Sequence, residues 1–396
     1  MGLNVLVVDR AIPAGTTQGN ALIGHHLFRR LGHHRLVLVA AHRPDEPDSR
    51  RDLEATFDEV HLVPRDRPFP AIGGFLEGHG IGLGWGRRWR EEFRERLRTV
   101  VRSSDFDVAH LRQLPMAPHA ALIRPIGSLL ELVDSETLAS RRSRPRGLRA
   151  RLREQVAASI ERHAMDRFDL TTTVGEADAE VLRGLRPAAR VEVIPNGVDT
   201  EYWCPQPLEE QPASIVFTGA MSFPPNIAAA VHLVRAVLPH LRRHEPEVRV
   251  VLAGRDPRPE VEALRGPNVE VTGAVPDLRP YLARAQVVVC PLVSGGGVKN
   301  KVLEALAMAR AVVGTPLAFE GLPSVEDRRH VVVGSEPATL ARSIAELIRQ
   351  PARRQELGAA GRSLVLDRYT WDACTGRYDA LYHELAATTR ERRASR

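Results

Sequence analysis

The sequence predicts an α/β protein with two doubly wound domains, each built on a parallel β-sheet. Short apolar runs alternate with amphipathic, helix-length segments along the whole chain, which is the pattern of βαβ units. The chain has 396 residues, which exceeds one typical hydrophobic core and fits two. A polar, proline-rich segment divides the alternating pattern into two series, so we expect two separate sheets.

Strands are predicted where short runs are rich in Val, Leu and Ile. In the first domain these runs lie at 4–8, 35–40, 59–63, 107–111, 129–133, 169–173 and 191–194. In the second domain they lie at 214–218, 249–253, 269–272, 286–290, 311–314 and 330–333. Helical periodicity predicts the main helices at 20–31, 89–101, 153–166, 226–243, 299–308 and 337–349.

Composition sets the predicted domain limits. The segment 199–212 contains three prolines and several polar residues, as linkers do. We therefore predict a first domain at 1–198, a linker at 199–212, a second domain at 213–368 and a helical segment at 369–396, with disorder confined to 389–396. Ligands of such domains bind beyond the carboxyl ends of the strands, and the cleft between two domains is the default site.

The charge balance favours anionic ligands or an anionic membrane face. The chain holds 55 Lys and Arg against 49 Asp and Glu, a net charge of +6. Nucleic acid is disfavoured as a partner because aromatic residues make up 5% of the chain and the charge is dispersed.

Cysteine usage and hydropathy predict a cytoplasmic protein. Cys204, Cys290 and Cys374 are few, odd in number and widely spaced, which argues for a reducing compartment and against a disulfide or zinc framework. The first apolar run is interrupted early by Asp9 and Arg10, unlike a secretory leader. No apolar run reaches the length that crosses a bilayer.

A glycine-rich segment near residue 296 is the main candidate site. Gly295, Gly296 and Gly297 lie between a predicted strand and a predicted helix, although each glycine costs about 0.5–1 kcal/mol relative to alanine in regular structure. The two lysines of the chain, Lys299 and Lys301, lie at the start of that helix, where a lone cation loses about 0.3–1 kcal/mol. A bound anion makes the interaction energy of the lysines at this helix end favourable, so the segment predicts a phosphate site. The alternative is the ordinary strand–glycine–helix turn of a doubly wound domain.

Glu304 extends the candidate site by about one helical turn. It stands in an otherwise apolar helix, where an unpaired carboxylate is costly. We expect it to accept a hydrogen bond, and a sugar hydroxyl beside a phosphate is a suitable partner.

Two regions depart from the regular alternation. Residues 73–86 hold seven glycines, and a loop of this length either shapes an acceptor pocket or is a surface excursion. Residues 141–153 hold seven arginines and no acid. This basic segment, Arg141 to Arg153, either contacts an anionic membrane or lipid phosphate, or is a solvated loop.

Four segments together resemble glycosyltransferase family 4 in order and spacing. They are Ile-Pro-Asn-Gly-Val-Asp at 194–199, Ile-Val-Phe-Thr-Gly-Ala-Met at 215–221, Val-Thr-Gly-Ala-Val-Pro-Asp at 271–277, and the glycine-rich loop through Glu304. The loop is similar to the exopolysaccharide-type subgroup, which reads Gly-Gly-Gly-x-(Arg/Lys)-x-Lys. The resemblance implies the GT-B architecture, in which two Rossmann-like domains face each other and a C-terminal helix crosses back to the first. It also implies a retaining glycosyltransferase that uses a nucleotide-sugar donor.

The resemblance assigns donor-binding roles in the second domain. Glu304 matches the second glutamate of the Glu-x7-Glu motif, which binds the donor ribose, whereas Gly296 stands at the first. The sugar contacts then fall to the amides of the glycine loop through Val298. Members of the family place Arg and Lys directly after the first strand of this domain, where they bind the diphosphate. This chain has Gly219 and no cation in that loop, so Lys299 is the expected substitute on the diphosphate.

Further roles follow from the same resemblance. Gly273 and Val275 match the segment against the nucleotide base. In the first domain Gly19, or alternatively Gly15, matches the glycine that approaches the donor phosphates. Asp134 occupies the place where the family presents a His or Asp to the donor sugar.

The implied mechanism is metal-independent, with Lys299, Gly19 and Asp134 as catalytic residues and no cofactor. The Asp-x-Asp pattern at Asp105 and Asp107 is read as a turn before a strand. The donor is expected to be UDP-, GDP- or TDP-linked, and the acceptor a small molecule, a lipid-linked saccharide or a polysaccharide.

Other functions compete with transfer. The missing first glutamate favours a non-catalytic sugar-nucleotide-binding partner of another transferase. The GT-B fold also hosts nucleotide-sugar epimerases and phosphorylases. An NAD oxidoreductase is disfavoured because the first strand leads into Pro-Ala-Gly-Thr-Thr-Gln-Gly and not Gly-x-Gly-x-x-Gly.

Overall fold

The computed structural model describes residues 2–13, 19–42, 50–65, 87–142 and 147–395. The chain forms two compact units: unit 1 comprises 1–194 with 374–396, and unit 2 comprises 195–373. Gly15, the glycine-rich loop at 73–86 and residues 143–146 of the basic segment lie outside the described residues. The two units group residues that pack together, and they do not locate a linker. The predicted domain limits therefore stay predictions: 1–198, 199–212, 213–368 and 369–396.

Unit 1 contains a seven-stranded parallel sheet with the order β3-β2-β1-β4-β5-β6-β7. The strands are β1 Asn4–Asp9, β2 Arg35–His42, β3 Glu59–Pro64, β4 Val108–Arg112, β5 Gly127–Glu131, β6 Leu170–Thr173 and β7 Val191–Val193. Each predicted strand of the first domain is present. The order reverses direction between β1 and β4, as in doubly wound folds.

Helices cover both faces of this sheet. They are α1 Gly19–Arg30, α2 Arg50–Glu54, α3 Arg87–Ser103, α4 Glu136–Arg142, α5 Leu148–Met165 and α6 Glu176–Leu185, with a 3-10 helix at Leu114–Leu122. Alternate residues of β1 face opposite layers. Val5 and Val7 belong to the core that contains Phe28 of α1, whereas Leu6 and Val8 belong to the core that contains Phe93 of α3.

Unit 2 contains a six-stranded parallel sheet with the order β10-β9-β8-β11-β12-β13. The strands are β8 Ser214–Thr218, β9 Arg249–Ala253, β10 Val269–Gly273, β11 Val287–Cys290, β12 Val312–Gly314 and β13 Val332–Val333. The helices are α7 Pro224–His232, α8 Leu238–Leu241, α9 Pro259–Glu262, α10 Arg279–Arg284, α11 Asn300–Ala307, α12 Pro316–Phe319, α13 Pro337–Arg349 and α14 Pro351–Arg368. All predicted strands of the second domain are present, so the predicted α/β class and GT-B-type pair of sheets are confirmed.

One predicted helix, 226–243, is interrupted. A π-helical turn at Leu233–Val237 separates α7 from α8. Pro239 follows this turn and has no amide hydrogen, and its ring clashes with the carbonyl four residues earlier in a regular α-helix. The wider turn removes that clash, and the Leu238 amide bonds to the Leu233 carbonyl.

The last helix, α15 Trp371–Ala394, joins unit 1 from Cys374 onward. Tyr378, Tyr382 and Leu385 are buried in the same core as α1. The predicted return of the C-terminal helix to the first domain is confirmed.

The disorder expected at 389–396 is wrong for most of that segment. Thr389 is fully buried. Its hydroxyl donates to the Asp107 carbonyl and accepts from the Gly127 amide, both at 2.6 Å. These bonds fasten the end of α15 to unit 1. In the part of the chain described, no helix combines the length and apolarity needed to cross a bilayer.

Candidate functional site

Three neighbouring strands of unit 2 end in glycines with positive φ. The angles are +152° at Gly219 after β8, +151° at Gly254 after β9 and +72° at Gly273 at the end of β10. A Cβ on Gly254 would lie 1.8 Å from the Gly219 carbonyl oxygen, so only glycine fits there. At these three strand ends the sheet therefore presents backbone without a side chain. Val275, just beyond, is half-buried.

Lys301 places its ammonium at this edge. Its Nζ donates to Asn226 Oδ1 at 2.6 Å and lies 4.3 Å from the centroid of the Phe217 ring, a cation–π geometry. It also lies 2.8 Å from where a Cβ of Gly219 would stand. Asn226 Nδ2 donates to the Ala220 carbonyl at 2.9 Å, which fixes the orientation of the amide. Burial lowers the pKa of Lys301 to about 8.

Lys299 is the N-cap residue of α11, and its ammonium turns back onto the glycine loop. It donates to the carbonyl oxygens of Gly296 and Gly297, the second at 2.6 Å. The ammonium thus closes the loop on itself. Its predicted role on a diphosphate stays a prediction.

The backbone of the glycine loop offers hydrogen-bond donors. Gly295 and Gly297 have φ of +108° and +67°, a region that favours glycine. No described residue accepts a hydrogen bond from the amides of Gly296, Gly297 or Val298. These amides lie just before the start of α11, where the helix dipole also favours an anion.

Glu304 follows on the same helix and is half-buried. Burial raises the pKa of Glu304 to about 7, against the attraction of Lys301. Among the described residues the carboxylate has no hydrogen-bond partner, so the predicted acceptor role is open to a ligand.

The start of α11 is anchored by the 194–199 segment. Asn196 Nδ2 donates to Asn300 Oδ1 at 3.1 Å. A Cβ on Gly197 would lie 2.7 Å from Trp371 Cα, so glycine is needed for this close approach. The sequence pointed to this segment only through its resemblance, and the structure shows a positioning contact.

Gly254 and Asn226 were missed among the predicted site residues. A glycine directly after a predicted strand was the available signal for Gly254, whereas Gly219 was predicted from the family resemblance. Asn226 is the third residue of α7, where nothing in the sequence distinguishes a side chain that holds a lysine from an ordinary helix residue.

The first-domain candidates belong to unit 1. Gly19 is the first residue of α1. Asp134 is exposed and follows β5. The loop next to it is held by buried carboxylates: Ser135 N donates to Asp178 Oδ1 at 2.8 Å, and Glu136 N donates to Glu161 Oε1 at 2.7 Å. The loop that presents Asp134 is therefore braced.

A buried ionic network at the carboxyl edge of unit 1 was not predicted. Arg112 donates to both Glu131 oxygens at 2.8 and 3.0 Å, to Asp9 Oδ2 at 2.6 Å and to the Asn20 carbonyl at 3.1 Å. Asp9, Arg112 and Glu131 end adjacent strands and pair in register. Burial raises the pKa of Glu131, but Arg112 and His110 outweigh it and hold that pKa well below its usual range. The network ties three strand ends to the first turn of α1.

Gln113, next to Arg112, has φ +70° and is buried. The backbone N–H of Gln113 donates to the backbone carbonyl of Glu131 at 2.7 Å. A non-glycine residue in this region costs about 1–3 kcal/mol, so the surrounding network must hold Gln113 there.

The ionic network had one signal in the sequence. Three apolar strands each end in a charged residue: Asp9, Arg112 and Glu131.

The Asp-x-Asp pattern lies at the opposite, amino end of β4. Asp107 Oδ2 accepts from the Asn4 amide at 2.8 Å, and the Asp105 side chain is 93% exposed. Asp107 therefore makes a structural turn contact, and the exposed Asp105 carboxylate lies 3.4 Å from the Arg393 guanidinium.

One group of side chains in the described residues has metal-ligand chemistry: His33, His34 and Asp379. His34 Nδ1 accepts from the Leu3 amide at 3.1 Å, which leaves its proton on Nε2, 2.7 Å from Asp379 Oδ1. A protonated nitrogen cannot bind a metal. Burial raises the pKa of Asp379, but hydrogen bonds from His33 and His34 lower it on balance. This arrangement is a hydrogen-bond contact that holds α15 to the turn between α1 and β2.

Comparison with known sequences identifies two domain families. Residues 25–202 match the family described as Glycosyltransferase Family 4, and residues 212–350 match Glycosyl transferases group 1. The α-maltose-1-phosphate synthase of Mycolicibacterium smegmatis is 28% identical over 59% of this chain and 67% of its own length. A GDP-mannose-dependent α-(1-6)-phosphatidylinositol monomannoside mannosyltransferase of Mycobacterium tuberculosis is 27% identical over 55% of this chain. The match covers 62% of the mannosyltransferase.

Solved structures share the fold over nearly the whole chain. Sucrose-phosphate synthase from Thermosynechococcus elongatus aligns with a TM-score of 0.74 at 17% identity, covering 97% of this chain and 99% of that chain. HepE from Anabaena, in complex with UDP, aligns with a TM-score of 0.70 at 13% identity, covering 96% and 100%. At these identities the likeness concerns the fold.

Proposed function

The chain is a GT-B glycosyltransferase of the family 4 type that acts on nucleotide-sugar donors, and on this premise we propose that it transfers the sugar to an acceptor hydroxyl with retention and without a metal ion. The observation that carries the proposal is the concentration of hydrogen-bond donors at one edge of unit 2. The Lys301 ammonium, the amides of Gly296, Gly297 and Val298, and the start of α11 all belong to it.

The diphosphate of the donor is assigned to this edge. Lys301 is fixed beside Gly219, so positive charge lies at the end of β8 without a cation in the β8–α7 loop itself. Lys299 adds a second charge while holding the loop. Without a ligand, the two ammonium groups lie unfavourably close to the positive end of the α11 dipole. A bound diphosphate attracts both the ammonium groups and that helix end.

The nucleoside is assigned to Glu304 and the end of β10. An ionised Glu304 would accept hydrogen bonds from the ribose hydroxyls. The carboxylate is half-buried and has no hydrogen-bond partner among the described residues, so such bonds would stabilise its charged form. Gly273 and Val275 would lie against the base. The donor sugar would contact the loop amides, since Gly296 supplies no carboxylate.

The catalytic contribution is electrostatic. When the bond from the anomeric carbon to the diphosphate breaks, negative charge grows on the leaving phosphate. Fixed donors aimed at that charge often supply the largest catalytic term. Lys299, Lys301 and the amides would act there, with Gly19 approaching the phosphates and Asp134 the sugar. We assign no protein nucleophile.

Metal independence is supported by the position of the Asp-x-Asp pattern at Asp105 and Asp107. Asp107 is committed to the Asn4 amide at the amino end of its strand, whereas ligands of such sheets bind beyond the carboxyl ends. The donor site as proposed needs no metal, because lysine and amide groups neutralise the diphosphate.

The proposed donor is a UDP-, GDP- or TDP-sugar, and the acceptor a small molecule, a lipid-linked saccharide or a polysaccharide. HepE binds UDP and the mycobacterial mannosyltransferase uses GDP-mannose, so both nucleotides enter the screen. The proposed compartment is the cytoplasm, in keeping with the three free thiols.

The test uses the purified chain with each nucleotide sugar and candidate acceptors. Nucleotide release and mass spectrometry of the acceptor identify transfer, and NMR of the product gives the anomeric configuration. Retained configuration and activity unchanged by EDTA are expected. An inverted product contradicts retention, and activity lost to EDTA and restored by a divalent cation contradicts metal independence.

A second candidate is a non-catalytic sugar-nucleotide-binding partner, favoured by Gly296 in place of the first glutamate. It predicts donor binding by calorimetry with no turnover by this chain alone. Recovery of an isomerised nucleotide sugar from a labelled donor would instead indicate an epimerase.

A further inference from the structure

The first two turns of α5 expose two large apolar side chains. Leu148 is 84% exposed and Leu152 is 59% exposed. They are four residues apart, so they lie on one face of the helix, one turn above the other. Further along α5, Val156 is half-buried against the core, and Ala157 and Ile160 are buried. The helix is thus anchored by its later turns and presents leucines at its start.

Arginines flank this apolar ridge on both sides. At about 100° per residue, Arg151 falls on one side of the Leu148–Leu152 line, and Arg149 and Arg153 fall on the other. All three are exposed. Among the described residues none of the three has an acidic partner.

The presentation of this helix start is braced. Arg141 at the end of α4 donates to Glu154 Oε1 of α5 at 2.8 Å. The two helices pack along each other. The leucine ridge and its arginines therefore form a defined surface, which we call the α5 tip: Leu148, Arg149, Arg151, Leu152 and Arg153.

We propose that the α5 tip docks unit 1 onto an anionic lipid bilayer. The leucines would enter the boundary between headgroups and acyl chains, and the arginines on both sides would pair with lipid phosphates, the arrangement of interfacial amphipathic helices. Charge complementarity selects an anionic surface. Nucleic acid would match the arginines but leave the leucines in water, and the tip has no aromatic side chain to stack on bases.

The test measures binding of the full chain to vesicles by flotation. Vesicles of neutral phosphatidylcholine are compared with vesicles that contain 30% phosphatidylglycerol, at low and high salt. Binding to the anionic vesicles, weakened by salt, is expected. Replacing Arg149, Arg151 and Arg153 with Gln should lower the partition coefficient about 100-fold. Leu148→Ser with Leu152→Ser should lower it about tenfold or more.

Matched controls lie in unit 2. Leu366 of α14 is 47% exposed, and Leu366→Ser should leave the partition unchanged. Arg235, Arg242 and Arg342 are exposed and lack an acidic partner among the described residues, so their triple replacement with Gln matches the charge loss. Thermal unfolding establishes that each variant is folded.

The proposal is overturned by any of three results: no binding of the unaltered chain to anionic vesicles, equal binding to neutral ones, or equal losses in the tip and control variants. A nucleic acid duplex that displaces the vesicles and is insensitive to the leucine changes would identify a nucleic acid surface instead. The assay needs no turnover, so its outcome is independent of the proposed transfer reaction.

Discussion

The Lys301 ammonium and the Asn226 side-chain oxygen lie 2.6 Å apart and join the start of α11 to the start of α7. Through this bond a lysine from one helix is held at the end of β8, where the loop itself carries no cation. The sequence placed both lysines in one site, but the structure divides their work. Lys301 is fixed at the sheet edge, and Lys299 closes the glycine loop.

Loss of either lysine should reduce turnover with every donor. We expect Lys301→Met to lower kcat by about 10²–10³-fold, the size of one lost transition-state donor. Lys299→Ala should also lower kcat, since it removes a charge and two loop hydrogen bonds. Steady-state kinetics with several donors measures both. A Lys299 variant with unaltered activity would show that Lys301 and the amides suffice.

Glu304→Ala should weaken donor binding by about 1.5–3 kcal/mol, the size of a hydrogen bond to a charged group. Calorimetric titration with the nucleoside diphosphate measures this change. Glu346→Ala, at an exposed position of α13, is the control and should bind as the unaltered chain does. An unchanged affinity in the Glu304 variant would remove this residue from the site.

The pH dependence of kcat/KM for the donor should be bell-shaped. The pKa of Glu304 is raised to about 7, so its accepting carboxylate forms as pH rises through 7. The pKa of Lys301 is lowered to about 8, so its ammonium is lost as pH rises through 8. Limbs near these values are expected. Glu304→Gln should abolish the acidic limb and keep the alkaline one; persistence of both limbs would contradict the assignment.

Gly219→Ala should impair donor binding. Its φ is +152°, and the new Cβ would stand 2.6 Å from Asn226 Nδ2 and 2.8 Å from Lys301 Nζ. The Lys301 ammonium must then move, and we expect at least about a tenfold loss of affinity, equivalent to about 1.4 kcal/mol. Gly266→Ala is the control, because its Cβ would meet no atom within 4 Å. Equal affinity of the two variants would show that the ammonium position is unimportant.

Arg112→Met should destabilise unit 1 by about 3–5 kcal/mol, because it leaves buried Asp9 and Glu131 without their cation. Urea unfolding followed by circular dichroism measures the change. Arg183→Met removes a largely exposed pair with Glu176 and should cost no more than about 1 kcal/mol. Similar values for the two variants would mean that the buried network is not a stability determinant.

The strands of both sheets could be predicted from the sequence, whereas the contacts between individual side chains could not. Runs such as Val5 to Val8 are buried on both faces, and such runs are readable because central parallel strands need apolar residues on both sides. The glycine loop was readable because three glycines and two lysines conflict with helix preferences. In contrast, the Lys301–Asn226 bond joins residues 75 positions apart, and no local pattern encodes that pairing.

The buried network escaped prediction for a related reason. Asp9, Arg112 and Glu131 each read as the polar end of a strand, and only the strand order β1-β4-β5 brings them into register. The error at Thr389 has the same origin. A terminal polar residue appears dispensable until its hydroxyl is found between the Asp107 carbonyl and the Gly127 amide.

The assignment of α15 to unit 1 affects how the polypeptide matures during synthesis. Unit 2 is one uninterrupted stretch and has all its residues as soon as position 373 leaves the ribosome. Unit 1, although translated first, lacks Tyr378, Tyr382 and Leu385 of its interior until the final helix emerges. The later-made half can therefore complete its packing before the earlier one, reversing the usual N-to-C order of domain maturation.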